Sequence, residues 1–540
     1  MLSIEHLVTL AQDQPAWVVV PVIVTALLGV YMLLNLLSAS RNKKKTSSSA
    51  FPTYPHPPST LPLLGNTLDA IYTQKDRLYD WMLEQHELHK RPWELAVIGY
   101  PLTIVVSTPE HFEDVLKTHF DVFPKDDSQC DIFSDVFGCG IVAVNGHAWH
   151  AQRKATSQLF TPQKIKESMY PVMQLKAQTL CAMMTKYEAR GEPISLKRVL
   201  NHFSADVFAK GAFDVDLNCL ENGVESDHEN EFAYATRVAS QVLQERFHEP
   251  LWLWRLKRAL NIGQERVLKE NIRHIDSLVY NILEAAIEKK KKSTSGEPAA
   301  EAAAKDLIAA LLDTDNSKSE LGGDLDAKTI RDMVVTFFME GTDAAAQNMA
   351  FLVVMLNRCP RALAKIRQEI HTKFPGLAKG DLPSMEELGQ LVYLEAAIRE
   401  NLRLNPTAPA SMRQADKDVV LSDGTFVAKG TRVILAFYAG MRSKAVWGDD
   451  ANEFKPERWI DPATGTLIPD SPFRFASFSA GPRVCPGMRF ALAEMKISMA
   501  LLLSRFDLTT VEDPWKITYG IAITCGVKGP LMVNIASVAM

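Results

Sequence analysis

The sequence has no clustered cysteines. The chain of 540 residues contains seven cysteines, an odd number, and no two of them form a CxxC pair. A disulfide framework needs cysteines that can pair, and a zinc ribbon needs them in close pairs. The sequence therefore favours neither, and its cysteine usage indicates a reducing compartment in which most thiols are small core side chains.

The chain also lacks an excess of charge of either sign. Lysine and arginine together number 59, aspartate and glutamate number 64, and the formal net charge is −5. Because nucleic-acid binding depends on a basic surface, we expect no nucleic-acid partner. Hydrophobic residues make up 47% of the chain, which is ample for a large core.

Runs typical of β-strands are few. Residues Leu95–Ser107 predict a hairpin with its turn at Gly99 to Pro101, and residues 425–438 and 531–535 predict further strands. Most other segments have helical periodicity. The longest predicted helices cover Asp326–Arg358, Arg361–Lys373, Met385–Leu404 and Met488–Leu503. The fold class is therefore mainly α (α+β), a helix-rich body with small peripheral sheets.

The first 60 residues predict a membrane anchor and a linker. Residues 16–37 carry no charge and are long enough to span a bilayer as a helix, and Arg41–Lys45 follow as a basic cluster. Since positive charge stays in the cytosol, residues 1–15 are expected in the lumen and the remainder in the cytosol. The alternative is a cleaved secretory signal ending at Ser38–Ser40, but a basic N-terminal region and a short apolar core are missing.

The remainder predicts one folded body. Residues 38–60 are basic and then rich in serine and proline, which is typical of a stiff linker. Residues 61–540 form the predicted catalytic domain. Within it, the low-complexity stretch Lys289–Lys305 lacks core residues and predicts a solvated loop.

The segment FSAGPRVCPG places Cys485 in a turn that contains two glycines and two prolines, just before a predicted helix. Glycines let a backbone approach a flat ligand closely, and prolines stiffen the loop. A helix N-terminus and a nearby arginine both stabilise a thiolate, so we expect a low pKa at Cys485. The residues alone leave three roles open: a buried structural cysteine, a nucleophile, or a metal ligand.

The whole loop resembles the haem-binding loop of the cytochrome P-450 family. That pattern is F-x-x-G-x-R-x-C-x-G, and this chain matches it at Phe478, Gly481, Arg483, Cys485 and Gly487. The resemblance implies haem b as cofactor, with Cys485 as the thiolate ligand of its iron. Such a ligand pushes electron density onto iron and favours O–O cleavage.

Two further segments resemble the same family. Glu400 and Arg403 match its ExxR helix, and FKPERW contains Arg458. A Glu and an Arg three residues apart share one helix face. In the family the two residues join the arginine of the PER segment in a buried triad that supports the haem loop.

The resemblance also implies a set of haem propionate ligands. Trp149 and Arg153 have the family's W-x-x-x-R spacing, and Arg413 and Arg483 resemble the other arginines that bind the propionates. Burying a carboxylate without such donors is costly.

The predicted helix Asp326–Arg358 contains the segment that resembles the family's oxygen-activating motif, where this chain departs from the pattern. Gly341, Thr342 and Asp343 fit: the glycine is expected at a kink and the aspartate in a proton relay. Ala344 replaces the usual hydroxyl residue that helps to deliver a proton. Either water fills the gap, helped by Thr342 or Gln347, or the substrate supplies the proton, or the chemistry starts from a peroxide.

Residues 138–154 are similar to the corresponding region of plant and fungal fatty-acid ω-hydroxylases. The matching residues are Gly138, Gly140, Ile141, Asn145, Gly146, Trp149, Gln152, Arg153 and Lys154. The resemblance implies a membrane-anchored monooxygenase of the endoplasmic reticulum that hydroxylates a long-chain apolar substrate drawn from membrane lipid. We expect pocket walls from residues 133–142, Phe337 and Phe338, residues 407–411 and residues 521–524.

Two other functions remain open: a haem-thiolate isomerase or dehydratase of lipid hydroperoxides, which Ala344 favours, and a non-catalytic haem protein. A monooxygenase needs electrons, and the chain has no flavin or iron–sulfur motif. The resemblance therefore implies NADPH and a separate diflavin cytochrome reductase, and it is compatible with cytochrome b5 as a second donor. Basic residues near the cysteine loop predict the docking face: Arg153, Lys154, Arg483 and Arg489.

Overall fold

The computed structural model describes residues 53–222, 231–294 and 327–538. The predicted anchor at residues 16–37 and most of the linker lie outside these ranges. Residues Tyr54–Met540 form one compact unit. In the described ranges, no helix combines the length and the apolar character needed to cross a bilayer.

The body is rich in helices, which confirms the predicted class. In chain order the α-helices are α1 Leu78–His89, α2 Pro109–Glu113, α3 Asp127–Phe137, α4 Gly146–Leu159, α5 Pro162–Lys164, α6 Tyr170–Arg190, α7 Leu196–Phe213, α8 Cys219–Asn222, α9 Glu231–His248, α10 Leu251–Leu260, α11 Gln264–Thr294, α12 Ala327–Arg358, α13 Pro360–Lys373, α14 Met385–Leu388, α15 Val392–Leu404, α16 Phe437–Gly440, α17 Lys444–Trp447 and α18 Met488–Arg505.

The strands are short and form small sheets. They are β1 Trp93–Glu94, β2 Thr103–Val106, β3 Ile194–Ser195, β4 Ser411–Gln414, β5 Val419–Val420, β6 Phe426–Val427, β7 Arg432–Leu435, β8 Phe506–Thr510, β9 Tyr519–Gly520, β10 Gly526–Val527 and β11 Met532–Ser537. The main sheet has the order β1-β2-β7-β4, with β2 and β7 parallel and the other pairs antiparallel.

Helix α12 lies at the centre of the core. It packs against α7, α15 and α18, and most of its residues are buried. A helix that is apolar on all faces must be enclosed by other elements. Its observed bounds agree with the predicted helix to within one residue.

The predicted helix over Met385–Leu404 is wrong as one element. Ser384 and Glu387 form a capping box that begins the short helix α14. The Glu369 carboxylate, from α13, then accepts hydrogen bonds from the backbone N–H groups of Tyr393 and Leu394 at 2.7 and 3.0 Å. These bonds satisfy free N–H groups in the first turn of α15 and so fix where that helix begins. Hydrophobic periodicity cannot predict such a contact between two helices.

Two other predictions from pattern need correction. The strand-like run 425–438 divides between β6 and β7, which belong to different sheets, because Gly430 turns the chain with φ +85°. The loop predicted for Lys289–Lys305 begins too early, since α11 continues to Thr294. The rest of that stretch lies outside the described residues. The predicted hairpin exists, but its first strand, β1, lies just before the predicted start at Leu95 and pairs with β2 inside the predicted segment.

Candidate active site

The cysteine loop is held close to the protein interior by backbone contacts. Gly481 has φ +64°, and a Cβ atom there would lie 2.0 Å from the carbonyl oxygen of Leu116. Only glycine fits that conformation and that approach. The N–H of Cys485 donates to the carbonyl oxygen of Phe478 at 2.8 Å, and Gly487 precedes the first residue of α18.

Many protein atoms surround the Cys485 thiol, although the residue keeps an exposed surface. Burial raises the pKa of Cys485 to about 11, while hydrogen bonds from the N–H groups of Gly487 and Met488 act in the opposite direction. The expected low pKa is therefore wrong for the protein alone, because desolvation outweighs the helix N-terminus. A bound metal cation deprotonates a coordinating thiol outright.

Four cationic side chains are close enough to affect one another beside this loop: Arg153, Arg413, Arg483 and Lys125, the last of which sequence reasoning missed. Burial lowers the pKa of Arg413 to about 10. Burial together with repulsion from neighbouring cations lowers the pKa of Arg483 to about 9 and of Lys125 to about 7. Burial also lowers the pKa of Arg153. Within the described ranges, no carboxylate forms an ion pair with any of them.

Aromatic and amide side chains hold this cationic cluster in place. The Arg483 guanidinium lies over the ring of Trp149, 4.3 Å from its centroid. The Asn145 side-chain oxygen accepts hydrogen bonds from Arg483 and from the backbone N–H of Lys125, both at 2.9 Å. Asn145 thereby fixes the spacing of two of the four cations.

The cationic cluster fits the propionates of a haem. The Nε atoms of Arg413 and Arg483 are buried and have no hydrogen-bond partner among the described residues. Buried donors of this kind call for an anion. Cys485 would supply a thiolate to the iron and the cations would bind the two carboxylates, so the residues present fit a haem.

The three residues of the predicted triad lie together. Glu400 and Arg403 are fully buried, and Arg403 donates two hydrogen bonds to the Glu400 carboxylate at 2.8 Å each. Arg458 approaches the same carboxylate at 3.3 Å, and the indole N–H of Trp459 donates to it at 2.9 Å. Glu400 therefore accepts hydrogen bonds through both of its oxygens.

This triad reaches the cysteine loop through α15. The Ser477 hydroxyl donates to the carbonyl oxygen of Leu402 at 2.9 Å, next to Arg403 in sequence. Ser477 precedes Phe478, whose carbonyl accepts the N–H of Cys485. A short chain of hydrogen bonds thus connects the charged cluster to the thiol loop, and it fixes the loop against the helix.

The oxygen-activating segment lies in the middle of α12. The helix continues through Gly341 without interruption, and a Cβ atom there would lie 2.3 Å from the ring of Phe208. Close packing against α7 thus accounts for this glycine. The Thr342 hydroxyl is buried and donates to the carbonyl of Phe338 at 2.9 Å, so its proton is already committed to the helix backbone.

Asp343 is a protonatable group in the interior. Burial raises its pKa, opposed by a hydrogen bond from Gln347 and by the charge of Lys197. The Gln347 amide donates to the Asp343 carboxylate at 2.9 Å, as their spacing on one helix face predicts. Ala344 follows, with no side-chain group that can carry a proton.

A second carboxylate, Glu340, was missed by sequence reasoning. Burial raises its pKa too, with the charge of Lys125 acting in the opposite direction and that of Asp343 in the same direction. Its charge in turn raises the pKa of Cys485. Glu340 therefore lies near the thiol, on the helix that carries Asp343.

A cavity of about 200 Å³ lies beside the main sheet. Of the predicted walls, Phe133, Pro409, Ala410 and residues 521–523 line it. Phe337 and Phe338 do not line this cavity. Their rings pack in the core, Phe337 against Phe160 and Phe338 against Phe208 and Phe232.

The comparisons with known proteins agree with this geometry. A family model described as Cytochrome P450 matches residues 55–529. Cytochrome P450 CYP94D108 of Paris polyphylla is 30% identical, covering 88% of this chain and 92% of the relative. Cytochrome P450 94B3 of Arabidopsis thaliana is 32% identical, with 89% and 91% covered.

A third relative carries an activity in its name. Alkane hydroxylase MAH1 of Arabidopsis thaliana is 28% identical, covering 84% of this chain and 90% of the relative. The family model spans nearly the whole described body and includes the cysteine loop, the triad and the cationic cluster. This protein belongs to the cytochrome P450 family.

Proposed function

We propose that this monooxygenase hydroxylates a long-chain fatty acid at or near its ω end. The observation that carries the proposal is the convergence of the Cys485 thiol and the cationic cluster, which suits a haem thiolate. The similarity to an alkane hydroxylase and to other P450 proteins supports an apolar substrate. An apolar cavity beside the sheet suits an alkyl chain.

The bound haem b supplies the thiolate-ligated iron at which oxygen is activated. Cys485 would hold the iron, and Arg153, Arg413, Arg483 and Lys125 would hold the propionates. Burial raises the pKa of Asp343 above its usual value and so favours the protonated form of its carboxyl group. Gln347 fixes one carboxyl oxygen of Asp343 through its amide, and Thr524 is a second hydrogen-bond partner of the same carboxylate.

The decisive experiment compares two substrates. Purified protein with an NADPH-dependent diflavin reductase and dodecanoic acid is expected to consume NADPH and form hydroxydodecanoic acid. The same protein is then given a lipid hydroperoxide without reductase. A protein inert with NADPH but fast with the hydroperoxide would establish the isomerase instead, a candidate that the alanine at position 344 favours.

We expect Ala344→Thr to increase coupling modestly. The new hydroxyl follows Asp343 in the helix and can carry its proton onward, whereas Thr342 is committed to the carbonyl of Phe338. A well-placed proton donor contributes about 10²–10⁴-fold, but water can also deliver the proton, so we expect a gain of only about twofold. The measurement is moles of hydroxylated acid per mole of NADPH.

Ala344→Val is the matched control, because valine has the shape of threonine without its hydroxyl. It is expected to leave coupling unchanged or to lower it. A wild type that is already fully coupled, with a threonine variant no better, would show that Ala344 is not a defect.

We further propose that the electron donor docks on the basic face beside the cysteine loop. Lys154 and Arg489 are exposed there, while Arg153 and Arg483 belong to the cationic cluster. Lys154→Glu is expected to slow reduction by the reductase about 10-fold at low salt, with the difference vanishing at high ionic strength. The measurement is the rate of haem reduction by stopped flow.

Lys75→Glu serves as the control, since this exposed lysine lies near His248, which lines the cavity. Equal slowing in both variants, or rates without any salt dependence, would contradict the docking face. The same assay with cytochrome b5 added tests whether that protein is a second donor.

The proposed setting is the cytosolic face of the endoplasmic reticulum. The uncharged run at residues 16–37 and the basic residues Arg41–Lys45 support an anchor with that orientation. Fractionation of cells that express the full chain, with protease protection of a tag at residue 1, tests this. Recovery of the protein in the soluble fraction would overturn it.

A further inference from the structure

Two charged side chains in the cavity wall, Arg432 and Glu249, are not used by the site described above, and Glu249 already forms an ion pair with Lys257. The cavity of about 200 Å³ lies between the main sheet, the segment near Ile71, the helix α3 and the junction of α9 and α10. Most of the residues that line the cavity are apolar, and Arg432 of β7 is the arginine among the lining residues. Only 6% of Arg432 is exposed.

The guanidinium of Arg432 is poorly satisfied. Arginine has five N–H donors in a planar fork. In the described structure, Arg432 donates through Nη2 to the sulfur of Met412 at 2.7 Å, a weak acceptor. Its Nε atom is buried without a hydrogen-bond partner, and its charged group lies over the ring of Tyr100, 4.5 Å from the centroid.

Asp126 forms an ion pair with this arginine but does not use its hydrogen-bond donors. One carboxylate oxygen of Asp126 lies 3.3 Å from Nε but without the geometry of a hydrogen bond. The same oxygen accepts the N–H of Gln129 at 3.1 Å and the hydroxyl of Ser128, and it thereby caps the first turn of α3. The donors of the Arg432 fork are therefore left for another anion.

The sheet register separates Arg432 from the haem site. In the antiparallel pair of β4 and β7, Met412 faces Ile434 and Arg413 faces Val433. Since side chains alternate along a strand, Arg432, Ile434 and Met412 lie on one face of the sheet and Arg413 on the other. All three line the cavity, and Arg413 does not.

We propose that Arg432 binds the carboxylate of the fatty-acid substrate and so selects acids over uncharged chains. This inference rests on the proposed function, because it names the head group of the same substrate. Arginine matches a carboxylate with two parallel N–H···O bonds. The apolar wall, which includes Phe133, Phe247 and Ile523, then receives the first part of the alkyl chain.

The test measures binding and turnover separately. Wild-type holoenzyme and Arg432→Gln are titrated by calorimetry with dodecanoate and with 1-dodecanol, and hydroxylation of both compounds is then measured. The variant is expected to bind dodecanoate about 10- to 100-fold more weakly, in the range of a lost charge-assisted hydrogen bond, with dodecanol binding unchanged. Arg432→Lys keeps the charge without the fork, and we expect an intermediate loss.

Arg255→Gln removes the same charge from an exposed arginine near Tyr100 and is expected to change neither affinity. If Arg432→Gln alone does not fold, the double variant Arg432→Gln/Asp126→Asn removes both partners, and asparagine can still cap α3. An unchanged preference for dodecanoate, or equal weakening of acid and alcohol, would overturn the proposal. If the wild type hydroxylates neither compound, the proposed function is refuted. The calorimetric titrations would still show whether Arg432 binds the carboxylate.

Discussion

Cys485→Ser is expected to abolish the red-shifted Soret band that the reduced protein forms with carbon monoxide. That band requires a thiolate ligand on the haem iron, and a serine hydroxyl in the same loop does not supply one. We expect the rate of hydroxylation to fall more than 100-fold. Replacing a residue that hydrogen-bonds to a metal ligand typically costs roughly 10- to 100-fold in activity, and replacing the ligand itself should cost more. The measurement is the difference spectrum together with haem content per chain.

Cys359→Ser is the matched control. Cys359 is partly buried just after α12 and packs against the core, so its replacement is expected to leave the band unchanged. A Cys485→Ser protein that keeps the band would refute the ligand assignment. Loss of the band in both variants would indicate damage to the fold instead.

Arg403→Ala is expected to destabilise the whole body by about 3–5 kcal/mol, because it leaves a fully buried carboxylate without its main partner. The same change removes donors to the carbonyl oxygens of Met441 and Ala451. Since Ser477 connects α15 to the cysteine loop, haem content is expected to fall with stability. Chemical unfolding and haem content are measured in parallel.

Arg399→Ala provides the comparison within the same helix. Arg399 pairs with Glu395 one turn earlier but keeps contact with solvent, so its loss is expected to cost less than about 1 kcal/mol. Equal stability of the two variants would contradict the structural role of the triad.

The parts of the site that lie in short local motifs could be predicted from the sequence. The cysteine loop and the pair Glu400 and Arg403 each occupy a few consecutive residues, and their spacing alone sets which side chains share a face. The hydrogen bond between Asp343 and Gln347 follows from the same helical geometry.

What could not be predicted depends on contacts between distant segments. Lys125 reaches the cationic cluster because Asn145 bonds its backbone, and nothing in the local sequence marks that contact. The raised pKa of Cys485 is a property of the enclosing protein, whereas the loop alone suggested the opposite direction. Phe337 and Phe338 face the core because of the rings that meet them.

The cationic cluster also sets a proton stoichiometry for cofactor assembly. With a pKa of about 7, Lys125 is only about half charged at neutral pH. A dianion placed beside it favours the charged form, so its pKa rises and the ammonium group takes up the missing proton. The Cys485 thiol, whose pKa is about 11 in the protein alone, would lose one proton on binding the metal, about twice what Lys125 takes up at pH 7. The two groups together would therefore release about half a proton at pH 7, so a rise in pH there favours haem insertion.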